Sequence, residues 1–442
     1  MFTFKSGVHP KDNKELSKYR PIRIVKPKNI VSYPVSQHIG AAAKEIVKIG
    51  DDVLVGQIIA EADGFVSANV LSTVSGKVKS IENRLTVDGK INKCIIVENN
   101  FEYKTIENYG NDRDYKTLSR EEIIDIVKNA GIVGLGGACF PTHVKLSPKN
   151  FDNIEYVLIN AIECEPYLTS DYRALLELTD NIIKGTEILL KLFPKAKAII
   201  CIEDNKKDAF ELINKKLTNN MSITSALLKT KYPQGGERQL IYAITNRKLN
   251  SKILPADLGV IVQNVSTVIA IYNAVCKNIP LISKVITITG DAVNDTANID
   301  VGFGMTYQEL LDDIGGFKTE PEKIINGGPM MGTAIYDLSV PIAKNSSSIL
   351  AFKNDELKSY KETNCINCGR CTFACPINLT PVILYKKCKS NDIESFIKLY
   401  GQECIECGAC SYVCPAKLPL TQYFKNYKIL SKNYKSNLKD TK

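Results

Sequence analysis

Between Cys365 and Cys414 the chain twice writes Cys-x2-Cys-x2-Cys-x3-Cys-Pro, and no other feature limits its fold so tightly. The runs are Cys365, Cys368, Cys371, Cys375–Pro376 and Cys404, Cys407, Cys410, Cys414–Pro415. Three thiolates on a short loop cap three irons of a [4Fe–4S] cubane, and a fourth must arrive from elsewhere. In paired-cluster domains the fourth cysteine of each run ligates the other cluster. The spacing therefore assigns Cys365, Cys368, Cys371 and Cys414 to one cluster, and Cys404, Cys407, Cys410 and Cys375 to the second. Zinc sites use separated Cys-x2-Cys pairs, without a third cysteine and a following Cys-Pro. A disulfide framework belongs to small secreted scaffolds, and this chain has 442 residues and no apolar signal segment at its start. Cubane centres move single electrons, so a redox role is expected.

The length suggests about three domains, with four small ones also compatible. No apolar run approaches the ~20 residues of a membrane-spanning helix; the most apolar stretch, 258–275, is broken by Gln263, Asn264, Ser266 and Asn273. Free cluster thiolates point to a reducing cytoplasm. Of the net charge of +9, residues 1–30 carry +6 and residues 425–442 carry +5, leaving −2 for the body between them. Nucleic-acid binders concentrate basic charge on a folded face, so no nucleic-acid partner is expected. Basic ends could dock on an anionic membrane surface or a partner, or be solvated tails.

Residues 1–35 read as an extended basic arm with Pro10, Pro21, Pro27 and Pro34. From 36 to 105, short β-type runs alternate with glycine turns, as in a small barrel or sandwich. Its Gly50-Asp-Asp-Val-Leu-Val-Gly56-Gln resembles biotinyl/lipoyl-type hybrid barrels, but the stretch 61–67 offers no carrier lysine, so the module is read as structural. Residues 115–282 alternate helix and strand patterns, the sign of an α/β domain with a largely parallel sheet. Strands are expected at 156–162, 198–202 and 260–262, with helices over 171–192, 205–217, 237–245 and 265–276. Ser119 and Glu122 form a capping box ahead of a further helix. Residues 283–350 read as a compact α+β module, 355–424 as the paired-cluster domain with helices near 380–388 and 391–400, and 425–442 as a Lys-rich tail. The fold class is thus multidomain α/β plus α+β.

The second informative stretch is Gly131-Ile-Val-Gly134-Leu-Gly136-Gly137-Ala-Cys-Phe140-Pro-Thr-His-Val-Lys145. Glycines let a backbone approach a phosphate and turn amides toward it, and a nearby lysine adds charge. Alone the signal is weak, being neither a dinucleotide fingerprint nor a P-loop. Three other polar segments lie at expected strand ends or helix starts, where α/β proteins bind ligands. They are Asn160-Ala-Ile-Glu163-Cys-Glu165-Pro166, Gln234-Gly-Gly236-Glu237 and Gln263-Asn264-Val. One site built from four loops would explain their polarity.

Taken in order, Gly-Leu-Gly-Gly-Ala-x-Phe-Pro-Thr, Asn-x-x-Glu-x-Glu-Pro, Gly-Gly-Glu and Gln-Asn-Val resemble the NADH-binding flavoprotein subunit of respiratory complex I. The C subunit of the Rnf electron-transport complex is the nearer resemblance. Phe4-Lys-Ser-Gly-Val-His-Pro, Ser36-Gln-His-Ile-Gly, Tyr232-Pro-Gln-Gly-Gly-Glu-Arg-Gln and Gly328-Pro-Met-Met-Gly carry it, over about residues 4 to 420. The resemblance implies a Rossmann-like domain holding noncovalent FMN with NADH stacked against it, an SLBB-type β-grasp module at 283–350 and a C-terminal helical two-cluster ferredoxin domain. By matching motif, Gly134, Gly136, Gly137 and Lys145 would hold the FMN phosphate and ribityl chain. Asn160, Glu163, Gly236, Glu237 and Asn264 would line the flavin, Phe140 would pack beside the nicotinamide nucleotide, and Glu165 would help position it. The sequence departs from the complex I pattern at Cys139, where a small residue stands, and at Arg238, where a second acidic residue stands beside the nucleotide.

The resemblance further implies electron transfer between NADH, FMN and two clusters, with no catalytic side chain required. Its partners would be the other membrane subunits and, through them, ferredoxin. The chain itself would lie peripherally on the cytoplasmic side. A cobalamin reductase of a bacterial microcompartment shares this build, though the N-terminal arm counts against it. A flavin-free cluster scaffold or ligand sensor is the remaining alternative. Cys94, Cys139, Cys164, Cys201, Cys276 and Cys388 read as apolar fillers, with Cys164 beside the expected flavin pocket. His9, His38 and His143 are too scattered for a metal site, and Glu203-Asp204 reads equally as a ribose-binding pair or a helix cap.

Overall fold

A computed structural model describes residues 1–218 and 220–440, the side chains of 435–440 aside. The N-terminal module is built as two small antiparallel sheets. Ile30–Pro34, Ile91–Asn99, Gly76–Leu85 and Asp52–Val53 form one, and Lys44–Glu45, Ile58–Glu61 and Val70–Leu71 the other. Their inward residues, including Val31, Tyr33, Ile59, Val78, Ile95 and Val97, make a core separate from the rest of the molecule.

The next domain holds four parallel strands in the order Ile223–Leu228, Lys197–Glu203, Tyr156–Ala161, Val260–Asn264. The two central strands read as near-continuous apolar runs because helices cover both faces of a parallel sheet. Helices Arg120–Asn129, Glu237–Thr245 and Val265–Lys277 stand where the patterns place them, and the Ser119–Glu122 capping box is present. The long helix expected over 171–192 is two, Ser170–Glu177 and Thr179–Leu192, because Leu178 leaves helical geometry. The chain leaves Tyr156–Ala161 toward one side and returns on the other as Val260–Asn264. That reversal creates a switch point at the strand C-termini, the usual ligand crevice of such sheets. Asn160 and Asn264 are register partners there.

A six-stranded sheet follows, in the order Ile22–Val25, Ala297–Gly302, Ser283–Thr289, Ser348–Phe352, Lys323–Asn326, Thr333–Ile335, with the helix Tyr307–Asp313 beside it. Its first strand corrects the reading of residues 1–35 as an extended arm. Ile22–Val25 runs parallel to Ala297–Gly302, and Ile30–Pro34 belongs to the barrel. Alternation over so few residues, split by prolines, was too short to signal either strand.

The C-terminal domain carries Pro381–Lys389 and Ile393–Lys398 between the cysteine runs, close to the expected helices. The expected tail is helical instead: one helix runs from Leu420 to Asp440, burying Tyr427 and Ser431. Of the tail's lysines, Lys435 and Lys439 have side chains outside the described set and Lys442 lies outside the described residues. Lys428 turns inward and donates to the Cys404 carbonyl at 2.7 Å. Among the described residues no helix is long and apolar enough to cross a membrane.

Candidate functional site

Two cavities in the C-terminal domain are each ringed by four cysteines. Cys365, Cys368, Cys371 and Cys414 line one, and Cys375, Cys404, Cys407 and Cys410 line the other. Each run lends its fourth cysteine to the opposite cavity, the exchange that the spacing predicts. Among the described residues no three His, Cys, Asp or Glu side chains converge on a single ion. A cubane gives each thiolate its own iron, so sulfurs spread around a cavity suit a cluster. Backbone amides point at the sulfurs, with Leu379 N–H to Cys375 Sγ at 3.3 Å and Glu406 N–H to Cys404 Sγ at 3.4 Å. Burial pushes the Cys404 thiol up to about 11 and those of Cys407 and Cys410 to about 12. Ionising these thiols therefore requires a cation in the cavity, which iron supplies. The donor set fits two [4Fe–4S] clusters. The cages differ in access: Cys368 is exposed, whereas Cys375, Cys407 and Cys410 are buried.

The glycine loop stands at the switch point of the parallel sheet. Gly134 and Phe140 close it, the Gly134 N–H donating to the Phe140 carbonyl at 2.9 Å, while residues 136–138 are exposed. A Cβ on Gly136 would lie 3.1 Å from Asn264 Cβ, and one on Gly137, with φ of +122°, would project into open space. Asn264 caps the helix Val265–Lys277 and donates to Asp171 Oδ2 at 2.8 Å. Asn160 donates to the Gly235 carbonyl at 2.8 Å. Lys145 donates to Glu237 Oε1 at 2.8 Å and to the Val262 carbonyl at 2.9 Å. Gly134, Gly136, Gly137, Lys145, Asn160, Gly236, Glu237 and Asn264 thus gather around one crevice, with Phe140 at the loop's closing end.

Buried polar atoms without a hydrogen-bond partner lie in the same loops: Gln234 Nε2, Gln263 Nε2 and Glu163 Oε2, the last with only the Lys14 ammonium nearby at 3.7 Å. Buried groups are normally paired, so orphans beside an open glycine loop suit a polar ligand. Burial raises the Glu163 carboxyl to about 7, against the pull of Lys14. These features fit FMN: an amide-lined loop and a lysine for its phosphate, and amide and carboxyl groups for its ring.

Glu165 is placed differently. Its carboxylate accepts from Met330 N–H at 3.2 Å and lies 3.4 Å from the Tyr232 hydroxyl oxygen, and a Cβ on Gly328 would lie 2.0 Å from Glu165 Oε2. It therefore faces the loop Gly328–Met330 of the third domain. Cys164 Sγ accepts from Gly235 N–H at 3.3 Å, so it braces the crevice. Cys139 is buried, and Arg238 reaches away to Glu403, Nη1 to Oε2 at 2.9 Å. Asp204 Oδ1 accepts from Thr230 N–H at 2.8 Å and Glu203 pairs with Lys206, so that acidic pair is structural. His143 is held by the Phe65 carbonyl at 3.2 Å.

Sequence reasoning missed Lys14. Its ammonium is buried and donates to the carbonyls of Glu163 at 2.9 Å, Glu165 at 3.0 Å and Leu168. A lysine in a Lys-rich segment gives no hint of burial. Asp171, which accepts from Asn264 and from Ser266 Oγ at 2.8 Å, was hidden in the same way inside a helix start.

Three family models match this chain. Residues 2–102 match the RnfC Barrel sandwich hybrid domain, 127–273 the Nuo51 FMN-binding domain and 355–418 the 4Fe-4S dicluster domain. The chain is 44% identical over 382 residues to the C subunit of the proton-translocating ferredoxin:NAD(+) oxidoreductase complex of Clostridium ljungdahlii, covering 86% of this chain and 83% of that one. It is 39% identical to the C subunit of the Na(+)-translocating ferredoxin:NAD(+) oxidoreductase complex of Acetobacterium woodii, covering 88% and 90%. With the C subunit of the ion-translocating oxidoreductase complex of Rhodobacter capsulatus it shares 37% identity, covering 96% and 82%.

Proposed function

The chain belongs to the family of C subunits of ion-translocating ferredoxin:NAD(+) oxidoreductase complexes, and from that premise we propose that it is the NADH-oxidising member of such a complex. It lies peripherally on the cytoplasmic side of the membrane and passes electrons between NADH, FMN and two [4Fe–4S] clusters. The other subunits take up those electrons, and ferredoxin is reached through them.

The observation that carries this reading is the segment Tyr232–Gln239, which serves both sites. Gly236 and Glu237 stand at the crevice, while Tyr232, Arg238 and Gln239 bond to the second cysteine cage. Bound in the crevice, FMN supplies the conversion of a two-electron hydride donor into one-electron steps. The chain's own residues bind, orient and insulate. Lys145 and the open backbone of Gly136 and Gly137 hold the phosphate and ribityl chain, with Gly134 closing the loop beneath them through its paired N–H and carbonyl. Asn160, Glu163, Gly236, Glu237 and Asn264 line the ring, and Phe140 offers an apolar face to the nicotinamide nucleotide. Lys14 fixes the carbonyls of the loop that carries Glu163. Glu165 acts on the nucleotide only through that loop, because its carboxylate is engaged by Met330 and Tyr232. Cys365, Cys368, Cys371 and Cys414 hold the outer cluster, and Cys375, Cys404, Cys407 and Cys410 the inner one.

Anaerobic purification followed by iron, sulfide and flavin quantitation and NADH titration tests the reading. About eight irons, one FMN and bleaching of both chromophores by NADH are expected. Iron near four, or flavin untouched by NADH, contradicts it.

A further inference from the structure

Arg238 departs from the complex I pattern, and its contacts give it another task. Its guanidinium pairs with Glu403, the residue before cluster ligand Cys404, at 2.9 Å, and both side chains are about one-fifth exposed, at 20% and 22%. The same carboxylate also accepts from the Ser251 N–H at 2.8 Å and from the Ser251 hydroxyl. On either side of Arg238 the flavin-domain segment makes two more bonds to this cage. Tyr232 donates to the Cys407 carbonyl at 2.7 Å, and Gln239 Nε2 donates to the carbonyl of Pro376, beside ligand Cys375, at 3.4 Å. Three parts of one cage are thus fastened to one eight-residue segment. The other cage turns its polar contacts inward, where Cys365 and Lys386 both meet Asn367 of their own domain.

We propose that Arg238 is a positioning residue for electron transfer, locking the cage of Cys375, Cys404, Cys407 and Cys410 against the flavin crevice, and that it does not read the nucleotide. Resting on the function proposed above, this makes the inner cage the partner of the flavin and leaves the exposed Cys368 side for the external acceptor. The balance is that of NADH oxidation: one NADH becomes NAD+ with one proton released to solvent, and its two electrons leave one at a time through the cages to that acceptor. An ion pair bridging two domains sets their separation, and electron tunnelling between two centres falls exponentially with that separation. The pair is partly solvated, so its contribution to overall stability is small and its effect is local.

The test uses the full chain, purified anaerobically, as wild type, R238E, R238Q, E403R and the reversed pair R238E/E403R. Stopped-flow absorbance follows flavin and cluster bleaching by NADH separately, and hydrogen exchange reads the amides of 401–410 without reference to activity. In R238E, cluster bleaching slows severalfold, exchange over 401–410 rises, and flavin bleaching and half-saturation by NADH stay within about twofold. R238Q falls between, and it serves alone if R238E does not fold. The reversed pair recovers severalfold over either single reversal. A changed half-saturation with unchanged cluster timing assigns Arg238 to the nucleotide and overturns the proposal, as do wild-type kinetics and exchange in R238E or failure of the reversed pair to recover. Wild-type flavin that NADH does not bleach refutes the underlying function instead, and the exchange data then judge the locking contact by themselves.

Discussion

Tyr232 donates its phenolic hydrogen to the main-chain carbonyl of Cys407 across 2.7 Å, from a position with only 1% of its surface exposed. The loop that begins the flavin-facing segment and the second cage therefore share a hydrogen bond sealed from water. Val8 adds to the seal by exchanging backbone bonds with Tyr232 at 2.9 Å. Tyr232→Phe keeps the ring but leaves a buried carbonyl unsatisfied, which costs about 1–3 kcal/mol. The variant is expected to melt lower and to change the electron paramagnetic resonance signal of one reduced cluster while leaving the other as it was. Identical spectra for both clusters would show that the bond does not reach the cage.

The exchange of fourth cysteines between the cavities predicts which cluster each single substitution removes. Cys375→Ser removes a ligand from the cage of Cys404, Cys407 and Cys410, although Cys375 closes the other run. Cys414→Ser does the converse. Each variant should fall from about eight irons to about four. Cys375→Ser should lose the buried cluster and so interrupt NADH-dependent reduction of the one that remains. Cys414→Ser should leave NADH able to reduce its surviving cluster. Loss of the same cluster in both variants would refute the crossed assignment.

Lys145 is the cation of the crevice, held by Glu237 and the Val262 carbonyl. A hydrogen bond to a charged partner contributes about 1.5–3 kcal/mol, and 1.4 kcal/mol is about tenfold in affinity. Lys145→Met should therefore be purified with FMN depleted by about tenfold or more, and with its iron content intact. Equal flavin content in wild type and variant, measured after gel filtration, would place the phosphate elsewhere.

The residues that could be read in advance share a cause. Cysteine spacing encodes cluster ligation locally, so both cages were legible, including the exchange of Cys375 and Cys414. The apolar runs ending in Asn160 and Asn264 marked two strands and their polar ends, which chain topology then brings together. Lys14, Asp171 and Glu403 could not be read in this way. Their partners lie far along the chain, and a charged residue in a basic segment or at a helix start looks the same whether solvated or buried. Glu165 shows the opposite failure, because its motif places it on the right loop while the backbone turns its carboxylate toward Met330. The strand Ile223–Leu228 escaped notice because Thr224 and Ser225 interrupt its apolar run at the sheet's edge.

Glu165 also makes a signed prediction about pH. Burial raises its carboxyl from 4.5 to about 7, while the Met330 amide and Lys14 pull the other way. Between those values the folded chain holds a proton that the unfolded chain has released. The stability linked to this group is therefore fully present below about 4.5 and lost as pH rises through about 7. Glu165→Gln keeps an oxygen for the Met330 N–H and cannot ionise. The variant's advantage over wild type should be small at pH 5 and grow toward pH 8, by on the order of 2 kcal/mol once partial solvent access is allowed for. Glu163, also raised to about 7, is common to both proteins, so its titration cancels in the difference. Anaerobic melting curves at pH 5, 6.5 and 8 measure it. A difference that stays constant across the three pH values would mean that Glu165 is ionised throughout, with Lys14 and the Met330 amide outweighing its burial.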